Sequence, residues 1–426
     1  YFNYELLSKH GPQPHQIRAF NGWKENSMFG FFEHATGTYK TATGLMCADE
    51  FLKTNDFVVI STPRMIISEN WSRLVENCFN KKIRLVKGWS EHGDWHTKAI
   101  NLVNSSRKTV FVFVNDSLWS PQGIQFLKIL NNNFFLIADE THRWDVANSE
   151  EFLLNINPSA RLALTAKLSE PLQEQEVEHI LSYFADNLES ERFHDTLDMP
   201  TALNEGFLRS YHYDLVKIIP GPNISGNSKT DLIRNIWNDF THQKRIESEK
   251  LVVEKLENYN RVLAYTGPSI DDAIGMLEGI QNIWLLNSNL PGLFKKVTGR
   301  ETQIQRRRII KQFNLGDVRS LVAIKVLDEG VSLPISDVAL MTTSSSSHRQ
   351  WIQRRGRVLR KENPSDESTA LVVDFILDIS GFDIDVREQI INHRASEIER
   401  TLEFAELSLN GLTYAQEILT DSGWLL

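Results

Sequence analysis

Cysteine is nearly absent: Cys47 and Cys78 are the two found in 426 residues. That count excludes a disulfide framework and a Cys-rich zinc site, and fits a reducing, cytoplasmic setting. No run of 18 apolar residues occurs, so no helix that spans a membrane is expected. Positive charge is also short. The formal net charge is −9, so the whole-chain basic surface usual in a nucleic-acid binder is missing, and only a local basic groove remains open. There is no short-period repeat and no low-complexity tract beyond the serine run Ser344 to Ser347. The histidines His92, His96, His194, His212 and His242 show no metal-ligand spacing or paired acids, and read as surface or packing residues.

What is present is a chain able to build large cores, with 41% hydrophobic and 24% charged residues. Short apolar, β-branched runs recur between helical patterns: Phe57–Ser61, Val110–Val114, Phe134–Ala138, Leu162–Thr165, Val262–Thr266, Ile283–Leu286, Ser320–Ile324, Val338–Met341 and Ala370–Phe375. Continuous apolar strands alternating with helices predict parallel sheets covered on both faces. The runs fall into two groups, over about residues 30–170 and 260–375. Between them, Tyr213 to Lys229 holds Ile219-Pro220-Gly221-Pro222, which reads as a loop or hinge. A charged helix is expected over Asp231 to Asn258, and another over Val386 to Leu409.

Chemistry concentrates at two places in the first group. Ala35-Thr36-Gly37-Thr38-Tyr39-Lys40-Thr41 opens a helical pattern. A bound triphosphate needs close backbone amides, a lysine for its β/γ oxygens and a hydroxyl for Mg²⁺. Gly37 and the helix start supply the first, Lys40 and Thr41 the others. Tyr39 stands where a phosphate loop carries Gly; a positive φ there costs about 1–2 kcal/mol. Alone, the segment also fits a chance Gly-Lys-Thr-like turn. About a hundred residues on, Phe134 to Ala138 lead into Asp139-Glu140-Thr141-His142. Adjacent acids at the end of an apolar strand are costly unless they have work there. Asp139 suits Mg²⁺, and Glu140 suits orienting and deprotonating an attacking water.

In the second group, Arg354, Arg357 and Arg360 recur every three residues, which predicts one face of a helix. Guanidiniums there suit the γ-phosphoryl charge of a nucleotide held by the other domain. A second basic stretch runs through Lys295, Lys296, Arg300, Arg306, Arg307, Arg308 and Lys311.

Taken together these motifs resemble the superfamily 2 helicases. Asp139-Glu140-Thr141-His142 is similar to their DEAD/DEAH box, and Leu164-Thr165-Ala166-Lys167 to the motif coupling hydrolysis to movement, with Lys167 in place of a threonine. Ala323 to Pro334, Ser344 to Ser347, and Gln353-Arg354-Arg355-Gly356-Arg357-Val358-Leu359-Arg360 resemble the fifth and sixth motifs of XPB-like helicases and type III restriction motor subunits. The resemblance implies an α/β chain of two RecA-like doubly wound parallel-sheet domains in tandem with a C-terminal helical extension. Expected bounds are 1–205 for the first domain, 206–258 for a linker and helical segment, 259–376 for the second domain and 377–426 for the extension.

It implies the cofactors ATP and Mg²⁺, with Gln16 reading adenine, Thr36 to Thr41 on the phosphates, and Thr41 and Asp139 on the metal. Asp328, Gly330, Gln353 and Arg354 would line the nucleotide, with Glu140, Arg357 and Arg360 catalytic. Pro63-Arg64, Asn115-Asp116-Ser117, Thr266-Gly267 and Thr298-Gly299 fall where the family contacts its strand. The implied partner is nucleic acid, DNA before RNA, with no membrane and with a nuclease or other defence subunit as a possible companion. Tyr39 and Lys167 favour the alternative of a nucleotide-gated clamp with weak or no ATPase activity.

Overall fold

The computed structural model describes residues 2–6, 11–79, 82–89, 93–105, 107–144, 146–167, 174–185, 192–267, 269–287, 294–298, 300–324, 336–342, 351, 354–356, 358–361, 363 and 365–425. Two compact units divide the chain, the first running to Phe207 and the second starting at Leu208.

The first unit is built on seven parallel strands: β1 (Phe29–His34), β2 (Phe57–Thr62), β3 (Arg84–Gly88), β4 (Thr109–Val114), β5 (Phe135–Asp139), β6 (Ala160–Thr165) and β7 (His194–Leu197). Their order is β3-β4-β2-β5-β6-β1-β7. Successive side chains of a strand point to opposite faces, and in the central strands both faces are buried. Phe31, Val59, Phe111, Leu136 and Ala163 enter one core, while Phe32, Val58, Val110, Phe135 and Leu162 enter the other. Both cysteines are buried and unpaired.

The second unit carries six parallel strands in the order β10-β11-β9-β12-β13-β8. They are β8 (Tyr211–Ile218), β9 (Val262–Tyr265), β10 (Phe294–Val297), β11 (Ser320–Ala323), β12 (Val338–Met341) and β13 (Ala370–Leu377). The helix Lys229–Asn258 packs on this sheet, and helices Ile384–His393, Ala395–Glu406 and Gly411–Asp421 form the C-terminal extension.

Three expectations are corrected. Ile283–Leu286 is not a strand but the end of the helix Ile270–Asn287, with Leu285 and Leu286 left 70% and 85% exposed. Four apolar residues fit either period, and the long helical approach decides the case. The loop or hinge expected from Tyr213 does not begin there, since Tyr211–Ile218 is a strand that pairs with β13 along its whole length. The strand escapes a search for continuous apolar runs because its burial alternates at the start. The expected helix Val386–Leu409 is two helices, broken at Arg394, where φ is −133° and ψ 27°. Five strands (β1, β3, β7, β8 and β10) were not among the expected runs. Among the described residues, no helix is long and apolar enough to cross a membrane.

A buried ion network joins the extension to the second sheet. The Arg400 guanidinium donates to both Asp374 carboxylate oxygens, at 2.8 and 3.2 Å, and pairs with Glu397 at 2.8 Å. Tyr213 Oη donates to Asp374 at 3.0 Å. Nearby, burial lowers Lys244 to about 8. Removing one partner of a buried pair leaves an uncompensated charge, which costs about 3–5 kcal/mol. Arg400→Ala is therefore expected to lower the unfolding free energy of the second unit by about that much; urea denaturation measures it.

Candidate functional site

Parallel strands of a sheet end on the same edge, so every loop following a strand of the first unit opens on one rim. β1 delivers the phosphate-loop segment, β5 delivers Asp139 and Glu140, and β6 delivers Thr165. The turn after β1 is tight. Gly37 has φ 100°, and Thr38, fully buried, donates its hydroxyl to Ala35 O at 2.8 Å. Tyr39 closes the turn at φ 63° and ψ 36°, where helix α2 (Lys40–Phe51) begins. That left-handed conformation is strained for a residue with a Cβ, by about 1–2 kcal/mol. Lys40 Nζ donates to His34 O at 2.7 Å, and Thr36 and Thr41 are half-buried.

A layer of side chains supports the loop from behind. Gln16, on helix α1 (Pro14–Glu25), is fully buried with both ends of its amide engaged. Its oxygen accepts from Tyr4 Oη at 2.6 Å and from Gln13 N at 2.9 Å, and its nitrogen donates to Tyr39 O at 3.3 Å and Thr43 Oγ1 at 3.2 Å. His15 Nε2 donates to Thr38 O at 2.9 Å. His34 Nε2 meets Asp195 at 2.7 Å, and Arg18 clamps the same carboxylate with two bonds of 2.9 Å. Burial lowers His15 to about 4 and keeps His34 below its ordinary value. Burial works to raise Asp195, but the bonds from His34 and Arg18 outweigh it and hold the group at about 2.

Asp139 is 6% exposed. One oxygen accepts from Trp71 Nε1 at 2.7 Å, the other from the Glu140 amide at 2.9 Å. Trp71 stands on helix α3 (Met65–Cys78) and approaches α2 so closely that a Cβ at Gly44 would lie 2.9 Å from its ring. Neither Trp71 nor Gly44 was singled out in the sequence, because each reads there as ordinary helix filling. Burial first, and the neighbouring Glu140 charge second, raise Asp139 to about 7. Glu140 turns the chain sharply at φ 52° and ψ 48°, a second strained left-handed residue. His142 Nδ1 lies 2.7 Å from Thr165 Oγ1 and 3.4 Å from Glu140 Oε2. The acidic box is thus tied to the Leu164-Thr165-Ala166-Lys167 segment, where Lys167 is exposed.

The donor set fits a magnesium-bound phosphate: hard oxygens of Asp139 and Thr41 on the rim with Lys40, and a carboxylate short of positive partners. Among the described residues no cluster of three or more His, Cys, Asp or Glu could hold a metal by itself. Phosphate oxygens would complete the shell.

In the second unit Arg354 is buried with its guanidinium 4.9 Å from the Tyr265 ring centroid. Arg360 does not continue a helical face with it, contrary to expectation; it lies in an antiparallel bridge with Leu208, beyond the helical turn. Arg209 explains the change, because its amide donates to Leu359 O at 2.8 Å and its guanidinium to Val358 O at 2.7 Å, drawing the chain into extended pairing. Asp328, Gly330, Gln353 and Arg357 lie outside the described residues, as do Lys325 to Pro334, Ser344 to Ser347 and Gly299. Thr298, expected at the strand, has its amide 2.7 Å from Glu301. Arg307, Arg308 and Lys311 stand exposed on the helix Gln303–Asn314.

Each unit has the doubly wound sheet of a RecA-like domain, and the first carries the residues a phosphate loop and an acidic box need. Residues 9–170 match the family described as type III restriction enzyme, res subunit, and residues 254–362 match the helicase conserved C-terminal domain. The chain belongs to the superfamily 2 helicases, with XPB-like and type III restriction-like features.

The DNA 3'-5' translocase XPB2 of Sulfurisphaera tokodaii is 33% identical over 84 residues, 20% of this chain and 18% of that protein. The matched stretches are under a fifth of the curated relatives' length. Among solved structures, the DUF1998 helicase MrfA bound to DNA aligns with a TM-score of 0.63 at 16% identity, over 93% of this chain and 50% of that one. The Hef helicase domain of Pyrococcus furiosus aligns at 0.56 and 12% identity, over 92% of this chain and 100% of that one. At such identities the likeness is one of fold.

Two measurements probe the rim. The folded Asp139 carboxyl keeps its proton to about pH 7, whereas the unfolded chain releases it near pH 4. The native state therefore binds more protons between those values, and the nucleotide-free protein loses stability as pH rises through them. Asp139→Asn keeps an acceptor for Trp71, so its Tm should gain on the parent's progressively from pH 5 to pH 8; a gap independent of pH contradicts the burial. The Tyr39 turn is strained before any nucleotide arrives, so Tyr39→Gly is expected to stabilise the first unit by about 1 kcal/mol in denaturant unfolding.

Proposed function

We propose that the chain is an ATP-driven nucleic-acid motor, a helicase or translocase acting on DNA, in which nucleotide binding and hydrolysis drive the two units through cycles of grip and release. The observation that carries this reading is the common rim of the first sheet, where Lys40, Thr41, Asp139 and Glu140 gather and Thr165 is hydrogen-bonded to the acidic box. In the proposal, backbone amides of Gly37 to Lys40 and the Lys40 ammonium hold the triphosphate. Thr41 and Asp139 hold Mg²⁺, which would neutralise phosphate charge. Glu140 orients and deprotonates the attacking water. Arg357 and Arg360, by family position, answer the γ-phosphoryl charge, with Gln353, Arg354, Asp328 and Gly330 lining the nucleotide and Gln16 on the adenine side.

DNA is favoured over RNA by the likeness to the DNA 3'-5' translocase XPB2 and to MrfA, whose structure is bound to DNA. The match to a type III restriction subunit, and a fold neighbour described as a type I restriction subunit, support a place beside a nuclease in a cytoplasmic restriction or anti-phage assembly. The second reading, a nucleotide-gated clamp, draws on the strained Tyr39 and the exposed Lys167.

Steady-state ATP hydrolysis with no polymer, single-stranded DNA, duplex DNA and RNA separates the two. A motor gives DNA-stimulated turnover; a clamp gives tight ATP-dependent binding with little turnover. Lys40→Ala is expected to lose nucleotide binding, while Glu140→Gln keeps it and lowers turnover by at least ~100-fold. Equal loss of ATP affinity in both variants rules out the division of roles.

A further inference from the structure

A cavity of about 420 Å³ lies within the second unit, and several of its walls come from outside the family motifs. Its rim is formed by Thr266 and Gly267 after β9 and by Thr342 after β12, on the carboxyl edge of the sheet, where the sequence leads one to expect Thr266-Gly267 at the polymer. Its far wall belongs to the helix Lys229–Asn258, which contributes Trp237 and Lys244, and to Arg394 at the break between two C-terminal helices.

The side chains are arranged as cations on aromatic faces. The Arg394 guanidinium lies 4.5 Å from the Trp237 ring centroid and the Lys244 ammonium 4.6 Å from that of Phe240. Lys244 is 5% exposed, while Arg394 is exposed. Lysine and two arginines line the cavity together with Asp272, Arg245 also pairing with Glu249 at 3.6 Å and Lys244 lying near Glu397 and Asp374. Gly267 makes room for Asp272, since a Cβ there would fall 2.3 Å from its Oδ2. A plain anion site has no use for Trp237, Phe240 and Met276, and a plain apolar site has none for three cations. A nucleotide uses both, stacking its base on an aromatic or guanidinium plane while its phosphate meets the cations. Asp272 is then an acceptor for a base N–H.

We infer that this cavity receives one unpaired nucleotide of the bound strand, with Trp237 and Arg394 forming the stacking wall and Lys244 and Arg245 answering the adjacent phosphate. The inference rests on the proposed function and deepens it. A duplex keeps its bases paired and stacked, so a walled site of this kind engages single-stranded polymer or a base drawn out of the helix. The second unit then holds its strand partly by a base, and the motor favours single-stranded over blunt duplex DNA.

The test uses the full chain and four probes: an oligodeoxythymidylate, an abasic oligomer of equal length, a blunt duplex, and AMP. Stacking one base is worth about a factor of ten in affinity. Trp237→Ala is expected to weaken oligodeoxythymidylate binding about tenfold or more, Trp237→Phe to restore most of it, and neither to change duplex binding. The parent should bind the abasic oligomer about as weakly as Trp237→Ala binds oligodeoxythymidylate. Arg394→Ala, at an exposed position, provides the same reading with less disturbance of packing: it should weaken oligodeoxythymidylate binding and leave the abasic oligomer and the duplex unchanged. Unchanged oligodeoxythymidylate affinity in Trp237→Ala and Arg394→Ala, or an equal loss on duplex, overturns the inference while leaving the motor intact. AMP displacing the oligomer at concentrations that saturate the cavity reassigns it to a free nucleotide and overturns it as well. Failure of the parent to bind any polymer removes the proposed function along with the inference.

Discussion

A carboxylate at the end of a fully buried strand is the constraint around which the first unit is arranged. Asp139 cannot be hydrated on its inner side, so it must be met by protein donors or hold its proton. The indole of Trp71 meets one oxygen and the Glu140 amide the other. Bringing the indole that far requires α3 to lie close against α2, which Gly44 permits. Turning the chain so that its own amide faces back to the carboxylate accompanies the left-handed backbone at Glu140. What remains unsatisfied is positive charge, and Lys40 supplies only part of it. The acid is therefore poised for a divalent cation by the same packing that makes it uncomfortable without one.

The second unit solves a different problem with the same chemistry. Asp374 sits in the middle of β13, and Arg400 reaches it from the C-terminal extension. There both carboxylate oxygens of Asp374 are met by the Arg400 guanidinium. The ion network fixes the extension to the sheet, and with it the position of Arg394 six residues earlier beside the long helix. The extension thus lines the unit's cavity as well as closing its core.

Sequence patterns expose what is continuous and hide what is composite. β2, β4, β5 and β6 announced themselves as unbroken apolar runs because both their faces are buried. β1 did not, since Gly30 interrupts it and Glu33 and His34 close it. Edge strands β3, β7, β8 and β10 have partly solvated faces and fewer apolar residues, so they resemble loops. Lys40, Thr41, Asp139 and Glu140 were legible because each motif carries its own chemistry within a few residues. Trp71 with Asp139, and Arg18 and His34 with Asp195, were not, because those partners are 68, 177 and 161 residues apart. Arg360 shows the limit of periodicity: a spacing of three predicts a helical face only while the helix lasts, and Arg209 ends it by pairing the chain elsewhere.

The strand order of the first sheet also sets a timetable. β1, which carries the phosphate loop, pairs not with its neighbours in sequence but with β6 and β7, joining Phe29 to Arg161 and Phe31 to His194. A ribosome adds roughly 5–20 residues per second. Phe29–His34 therefore leaves the exit tunnel many seconds before either partner strand exists, while β2 and β4 already have each other. The Gly37–Tyr39 turn that follows β1 is thus made well before it can be fixed, and its strand must be kept from other pairings until β6 and β7 arrive.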